Sequence, residues 1–373
     1  MTYVPAVHRR GLFLCAIALV LAGLGATAQG AMAHSSPKAV YTLTNAAAGN
    51  AVQAFHRGGD GTLSPAGAFA TGGAGTGTGL GNQGALALDG KRLFAVNAGS
   101  DTVSSFRVHR HGLELVDVEA SGGDQPISLT VHNGVLYVLN AGGAENISGL
   151  TVSRRGHLST LPGSTRALSG PSAGPAQVSF DPEGELLVVT EKNTNLIDVF
   201  EVDDDSGLAD GPATHASAGA TPFGFGFDRR DHLIVSEAFG GATDASAVSS
   251  YELDDGELET ITPSAATTET AACWIVVTKN GRYAYTTNTG SGSIAGYRIH
   301  RDGELSLLDA DGRTGLTGPG PIDMALSRSS RHLYSLNAGD ESISAFRVGG
   351  DGSLTPIGTV AGLPDGATGL AAR

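Results

Sequence analysis

Past its first 33 residues the chain contains one cysteine, Cys273, so no intramolecular disulfide can brace it and stability has to come from packing. Charge is sparse, at 16% of 373 residues against 40% hydrophobic, which excludes the disordered class. Basic residues are scarcer than acidic ones, 23 against 37, for a net charge of −14; loss of Arg9 and Arg10 with the N-terminal segment takes it to −16. A chain this acidic repels nucleic acid and anionic lipid headgroups. No stretch shows an apolar helical stripe between helix caps, which argues against a β/α barrel. Glycine is abundant, at 55 residues, but follows no three-residue period, which excludes collagen.

One long apolar run exists. Gly11 to Ala26 follows the basic His8-Arg9-Arg10 and precedes two small-x-small cleavage signals, Ala26-Thr27-Ala28 and Ala31-Met32-Ala33. The run is short for a membrane span, and residues 1–33 read as an export signal peptide. Arg9-Arg10 fits a twin-arginine signal. Cys15 lies inside the run, after Leu14, where a lipoprotein cysteine would not be. The expected location is secreted or periplasmic, with no membrane span in the remainder.

Residues 34–373 are repetitive. An apolar strand ends in Asn or Glu, a small-residue turn follows, then a second strand, then a turn rich in Asp and Gly. The strand-end residues are Asn45, Asn97, Asn140, Glu191, Glu237, Asn288 and Asn337, at spacings of 43 to 52 residues. Each repeat reads as four short strands, as in 174–180, Leu186 to Thr190, Leu196 to Val202 and a more variable fourth. Asp-Gly between apolar segments is a strong hairpin signal. A small sheet with two apolar faces cannot bury itself, and radial stacking covers both faces. Repeats of roughly 40–50 residues suit four-stranded blades. The pattern predicts an all-β, seven-bladed β-propeller of antiparallel blades. The N-terminal repeat starts at its second strand (39–43), and the missing first strand stands at the C-terminus (366–371), so the tail is predicted to pair into the first blade.

With these motifs in view, the chain resembles the lactonase-type seven-bladed propellers, which include propeller 6-phosphogluconolactonases and carboxymuconate-lactonising enzymes. The resemblance covers the whole repeat region and implies lactone chemistry at the channel mouth. Where the family carries Gly-Pro-Arg-His and then Asn-Glu-Leu, this chain has Gly174-Pro175-Ala176-Gln177 and Thr190-Glu191-Lys192. Its Pro-His-Ala-His is matched by Pro126-Ile127-Ser128-Leu129, and its Asn-Arg-Gly by Asn288-Thr289-Gly290. Glu191 is the one retained member of the implied catalytic set. Lactone opening needs a proton carrier and a cation for the developing oxyanion, and Ala176 and Thr289 supply no cation.

Two readings stand open: a propeller that binds a small molecule or a protein at the channel mouth, and a hydrolase or cyclase acting on a small lactone with Glu191 as acid or base. Glu191 and Glu237 either converge at the mouth or occupy exposed turns that accept either residue. Gln177 and Asp323, polar within apolar first strands, face either a ligand or a water-filled channel, and Asn288 joins them as a mouth residue. The Asn residues of the repeat suit left-handed turn backbone. Gly75 to Gly81 reads as a flexible loop, since no helix follows to make it a phosphate cradle. Cys273, beside Trp274, reads as an inert core thiol. The eleven histidines do not cluster at ligand spacing, and neither a metal nor a cofactor is expected.

Overall fold

A computed structural model describes residues 38–373; the signal-peptide expectation falls outside them. The described residues form seven antiparallel sheets around one axis. Blade 1 contains Ala39–Leu43, Ala51–Arg57 and Leu63–Ala70, completed by Thr368–Ala372. Blade 2 is Leu86–Asp89, Arg92–Asn97, Thr102–His109 and Gly112–Ala120. Blade 3 is Asp124–His132, Val135–Gly142, Asn146–Val152 and a fourth strand in two pieces, Leu158–Thr160 and Arg166–Ala167. Blade 4 is Pro175–Phe180, Leu186–Glu191, Leu196–Val202 and Ala209–Ala216. Blade 5 is Pro222–Phe227, Leu233–Glu237, Ala247–Asp254 and Glu257–Ala266. Blade 6 is Ala272–Val277, Tyr283–Asn288, Ser293–Ile299 and the divided Leu305–Leu307 and Gly315–Leu316. Blade 7 is Pro321–Leu326, His332–Asn337, Ser342–Val348 and Leu354–Ala361.

Burial follows the stacking logic. Second strands are covered on both faces: all six residues of Tyr283–Asn288 and of His332–Asn337 are buried. Fourth strands lie at the rim, and Leu354–Ala361 has no fully buried residue. In blades 3 and 6 the fourth strand divides opposite a glycine. Ser164 Oγ accepts from Gly149 N–H (2.8 Å) and Thr314 Oγ1 from Gly296 N–H (2.9 Å), so a side chain from the detour replaces a ladder partner.

The repeated Asp-Gly turn has a physical reason beyond hairpin geometry. Tyr137, Tyr285 and Tyr334, each on a second strand, donate their hydroxyls to the turn carbonyls of Gly207, Gly352 and Gly61 in the next blade, at 2.9, 2.7 and 2.9 Å. Gly352 has φ 93°, and a Cβ there would stand 2.7 Å from the Tyr283 ring. Left-handed backbone and a neighbouring aromatic both demand glycine. The Tyr334–Gly61 bond joins blade 7 to blade 1. The predicted C-terminal closure is present: Val40 pairs with Ala372, Tyr41 with Ala371 and Thr42 with Leu370. Arg57 adds two bonds to the Arg373 carbonyl, at 2.9 and 2.8 Å.

Candidate functional site: the channel mouth

Second strands end, and connections between blades cross, at one end of the axial channel. The strand-end Asn side chains there tie second strand to third within a blade. Asn97 Nδ2 donates to Thr102 Oγ1 (3.1 Å) and Ser104 Oγ (2.8 Å), and Ser104 Oγ donates to the Thr71 carbonyl at the end of blade 1's fourth strand. Asn140 with Asn146 and Ser148, and Asn337 with Ser342 and Ser344, repeat the arrangement. Left-handed backbone, expected for these residues, occurs at Asn45 alone (φ 48°); the other four work through their side chains. Asn288 donates to Ser293 Oγ at 3.0 Å, and Ser293 donates to Glu269, a buried carboxylate paired with Arg313 Nε at 2.6 Å.

Glu191 and Glu237 occupy the same latch position in blades 4 and 5. Both are fully buried, so the exposed-turn reading does not describe them. Glutamate is one methylene longer than asparagine and can only accept hydrogen bonds. It therefore reaches the N–H groups of the crossing from the preceding blade directly. Glu191 accepts from Ser169 N (3.1 Å), Ser169 Oγ (2.5 Å) and Thr194 Oγ1 (2.5 Å). Glu237 accepts from Gly219 N (2.8 Å), Ser264 Oγ (2.6 Å) and Ser249 Oγ. The two glutamates have no hydrogen-bonding partner in common. Burial raises the Glu237 carboxyl above the usual range.

Asp198, in the slot that holds serine in blades 2 and 3, was not singled out from the sequence. Ser169 N–H, which serves Glu191, also reaches Asp198 Oδ2 at 3.0 Å. Burial, then the hydrogen bond to Glu191, push Asp198 up to about 8.

The Gly75–Gly81 segment, expected to be a flexible loop, is pinned by Asn45, which donates to Thr76 Oγ1 (3.1 Å) and to the Thr78 carbonyl (2.6 Å). It delivers Asn82 and Gln83 to the axis. Asn82 Nδ2 donates to the Ile127 carbonyl of blade 3, and the Asn82 carbonyl accepts from Trp274 Nε1 of blade 6 at 2.6 Å. Gln83 N–H donates to the Ala176 carbonyl of blade 4 at 3.0 Å. The Gln83 amide pairs with both backbone groups of Ile275, at 2.7 and 2.9 Å. Its side chain lies against Gly224 of blade 5, where a Cβ would collide with Oε1. Four blades, 3 to 6, thus meet through two residues or pack on them.

Beside this hub, Ala176, Phe223, Ala238, Cys273 and Trp274 form a buried apolar cluster, with the Phe223 and Trp274 rings 4.8 Å apart. Burial pushes the Cys273 thiol up to about 11, in keeping with an inert core thiol. Lys192, which sequence reasoning passed over, lies with Nζ 5.1 Å from the Phe223 ring centroid and donates to the Gly81 carbonyl at 2.6 Å. Burial lowers its ammonium to about 8.

Gln177 and Asp323 line a cavity of about 280 Å3 along the axis, with Gln83, Thr130 and Ser179. The Gln177 amide is committed to Phe225, accepting from its N–H (2.8 Å) and donating to its carbonyl (3.0 Å). Asp323 Oδ1 accepts from Met324 N–H at 2.7 Å, and burial holds its carboxyl well above the usual range. The structure therefore brings Gln177 and Asp323 to one cavity and holds Glu191, Glu237 and Asn288 in separate latches. Among the described residues no cluster of three or more His, Cys, Asp or Glu could hold a metal ion.

The profile of the lactonase, seven-bladed β-propeller family matches residues 73–366. No curated protein matches in sequence. A candidate 6-phosphogluconolactonase from Bacteroides fragilis superimposes with a TM-score of 0.73 at 18% identity, over 91% of this chain and 98% of that one. A protein from Lactobacillus plantarum gives 0.73 at 15% identity, over 91% and 99%. A periplasmic gluconolactonase from Pseudomonas aeruginosa gives 0.65 at 15% identity, over 88% and 98%. At such identities the solved structures speak for the fold alone, whereas the profile spans most of the sequence. The chain belongs to the lactonase family of seven-bladed β-propellers.

Proposed function

We propose that this chain is an exported binding member of the family, without lactonase turnover. The observation that carries the reading is the occupied mouth: Asn82 and Gln83 sit on the axis, bonded to Ile127, Ala176, Trp274 and Ile275. A lactone would have to displace these bonds, and no arginine stands where the family motif would place one, at Ala176 or Thr289. Glu191, the residue that a hydrolase or cyclase would use, is fully buried and saturated by Ser169 and Thr194. A general acid or base has to reach its substrate within hydrogen-bonding distance. Ligands or a protein partner would instead meet the loops and turns at the two ends of the ring. The proposed export rests on residues 1–33, with Arg9-Arg10 ahead of the apolar run.

The test is proton release at pH 7 from a panel of five- and six-membered lactones, with and without phosphate. The expected result is no rate above buffer. Turnover proportional to protein concentration, on any member of the panel, overturns the reading.

A further inference from the structure

The end of the ring opposite the mouth carries the turns between first and second strands and between third and fourth strands. There, blades 5, 6, 7 and 1 enclose a groove of about 940 Å3. Four cations line it: Arg229 from the first turn of blade 5, Lys279 from that of blade 6, Arg331 from that of blade 7, and Arg347 from blade 7's third strand. In a chain with 37 acidic residues, cations would be expected to find carboxylates. Among the described residues none of these four forms a salt bridge. Two more guanidinium groups, Arg282 and Arg298, stand 5.4 and 5.3 Å from the ring centroid of Tyr283, which also lines the groove.

The one carboxylate in the lining is Asp60. Its Oδ1 is engaged by Thr62 N–H (3.1 Å) and Thr62 Oγ1 (2.8 Å), so it caps its own turn. His332 adds no positive charge at neutral pH, because burial, with the fields of Arg57 and Arg347, holds its imidazole below the usual range. Neighbouring turns are tied together, with Lys279 N–H donating to Ser330 Oγ at 2.9 Å. The cations are therefore presented from a braced rim.

Four cations against one carboxylate leave the groove net positive; the like charges repel one another, and an anion that bridges them relieves the repulsion. Guanidinium groups bind carboxylate, phosphate and sulfate through paired N–H donors. The surrounding negative charge repels extended polyanions, while a concave positive site focuses the local field on small ones. We infer that this groove is a binding site for a small, multiply charged oxyanion, a polycarboxylate or a phosphate ester, held by Arg229, Lys279, Arg331 and Arg347. The inference deepens the binding reading by naming a ligand class at one end of the ring; lactone turnover would overturn that reading and leave the test of the groove untouched.

The experiment is calorimetric titration of the mature protein with citrate and, separately, with inorganic phosphate and pyrophosphate, in buffer of matched ionic strength. Tight binding of citrate alone identifies a carboxylate site, and binding of the phosphates alone a phosphate site; either supports the inference. Arg331→Gln and Arg347→Gln are expected to weaken binding by at least about tenfold each, because each removes a charge-assisted contact. Both side chains are exposed, so the variants should melt like wild type without ligand. Arg110→Gln, at an exposed turn of blade 2, should bind as wild type does. The inference is overturned if none of the three anions binds more tightly than chloride at equal ionic strength. It is also overturned if Arg331→Gln and Arg347→Gln bind like wild type, or if Arg110→Gln weakens binding as much as they do.

Discussion

Replacing Gly224 by alanine places a methyl group where the Gln83 side chain now lies. The new Cβ would overlap Gln83 Oε1 and stand 3.1 Å from Gln83 Cδ and 2.8 Å from the Cys273 carbonyl oxygen. Gln83 has to leave, and its two bonds to Ile275 go with it. Each is worth about 1 kcal/mol net, and overpacking against the fixed Cys273 carbonyl adds about 1 kcal/mol or more. The expected destabilisation is about 2–4 kcal/mol, read from urea unfolding. Gln83→Ala alone removes the same two bonds. In that background most of the clash is gone, so Gly224→Ala should cost at least about 1 kcal/mol less than in wild type. Equal costs in both backgrounds would refute the hub, because Gln83 would then not be what fills the space over Gly224.

Deleting residues 367–373 unpairs the edge of blade 1 and removes the buried Leu370 and Ala371. The loss should reach at least about 5 kcal/mol, comparable with a whole domain's stability; a soluble truncation with an unchanged melting temperature would contradict ring closure by the tail. Tyr334→Phe removes the bond to Gly61 and leaves that carbonyl unsatisfied, so a loss of about 1–2 kcal/mol is expected in denaturant unfolding. Asp198 keeps its proton in the fold up to about pH 8, whereas the unfolded carboxyl releases it near its ordinary value. Its contribution is thus greatest in acid and declines as pH rises toward 8. Asp198→Asn should lose less stability between pH 5 and pH 8 than wild type does, and identical pH profiles would show that the carboxyl is not raised. In an exporting host, intact-mass measurement should show the chain beginning near residue 34; a full-length product in the medium would count against the signal-peptide reading.

Much of this protein is legible without coordinates, because repetition turns one local pattern into a global constraint. Strand ends at Asn97, Asn140, Asn288 and Asn337, Asp-Gly turns, and apolar strands with no helical stripe leave radial stacking as the way to cover both faces of each sheet. The absent first strand of blade 1 and the surplus strand at 366–371 follow from the same counting, and the pairing of Val40 with Ala372 bears them out.

The site required tertiary structure, since its residues come from different blades and spacing along the chain carries no information about the axis. Glu191 and Glu237 share a place in the repeat, yet they do not converge, because each is held by a separate crossing between blades, Glu191 by Ser169 N–H and Glu237 by Gly219 N–H. Composition made Gly75–Gly81 look mobile; only the crossing from blade 1 to blade 2 shows that it carries Asn82 and Gln83 onto the axis. The net charge of −14 gave no hint that Arg229, Lys279, Arg331 and Arg347 gather at one groove, because a sum over the chain does not record where the rare cations stand.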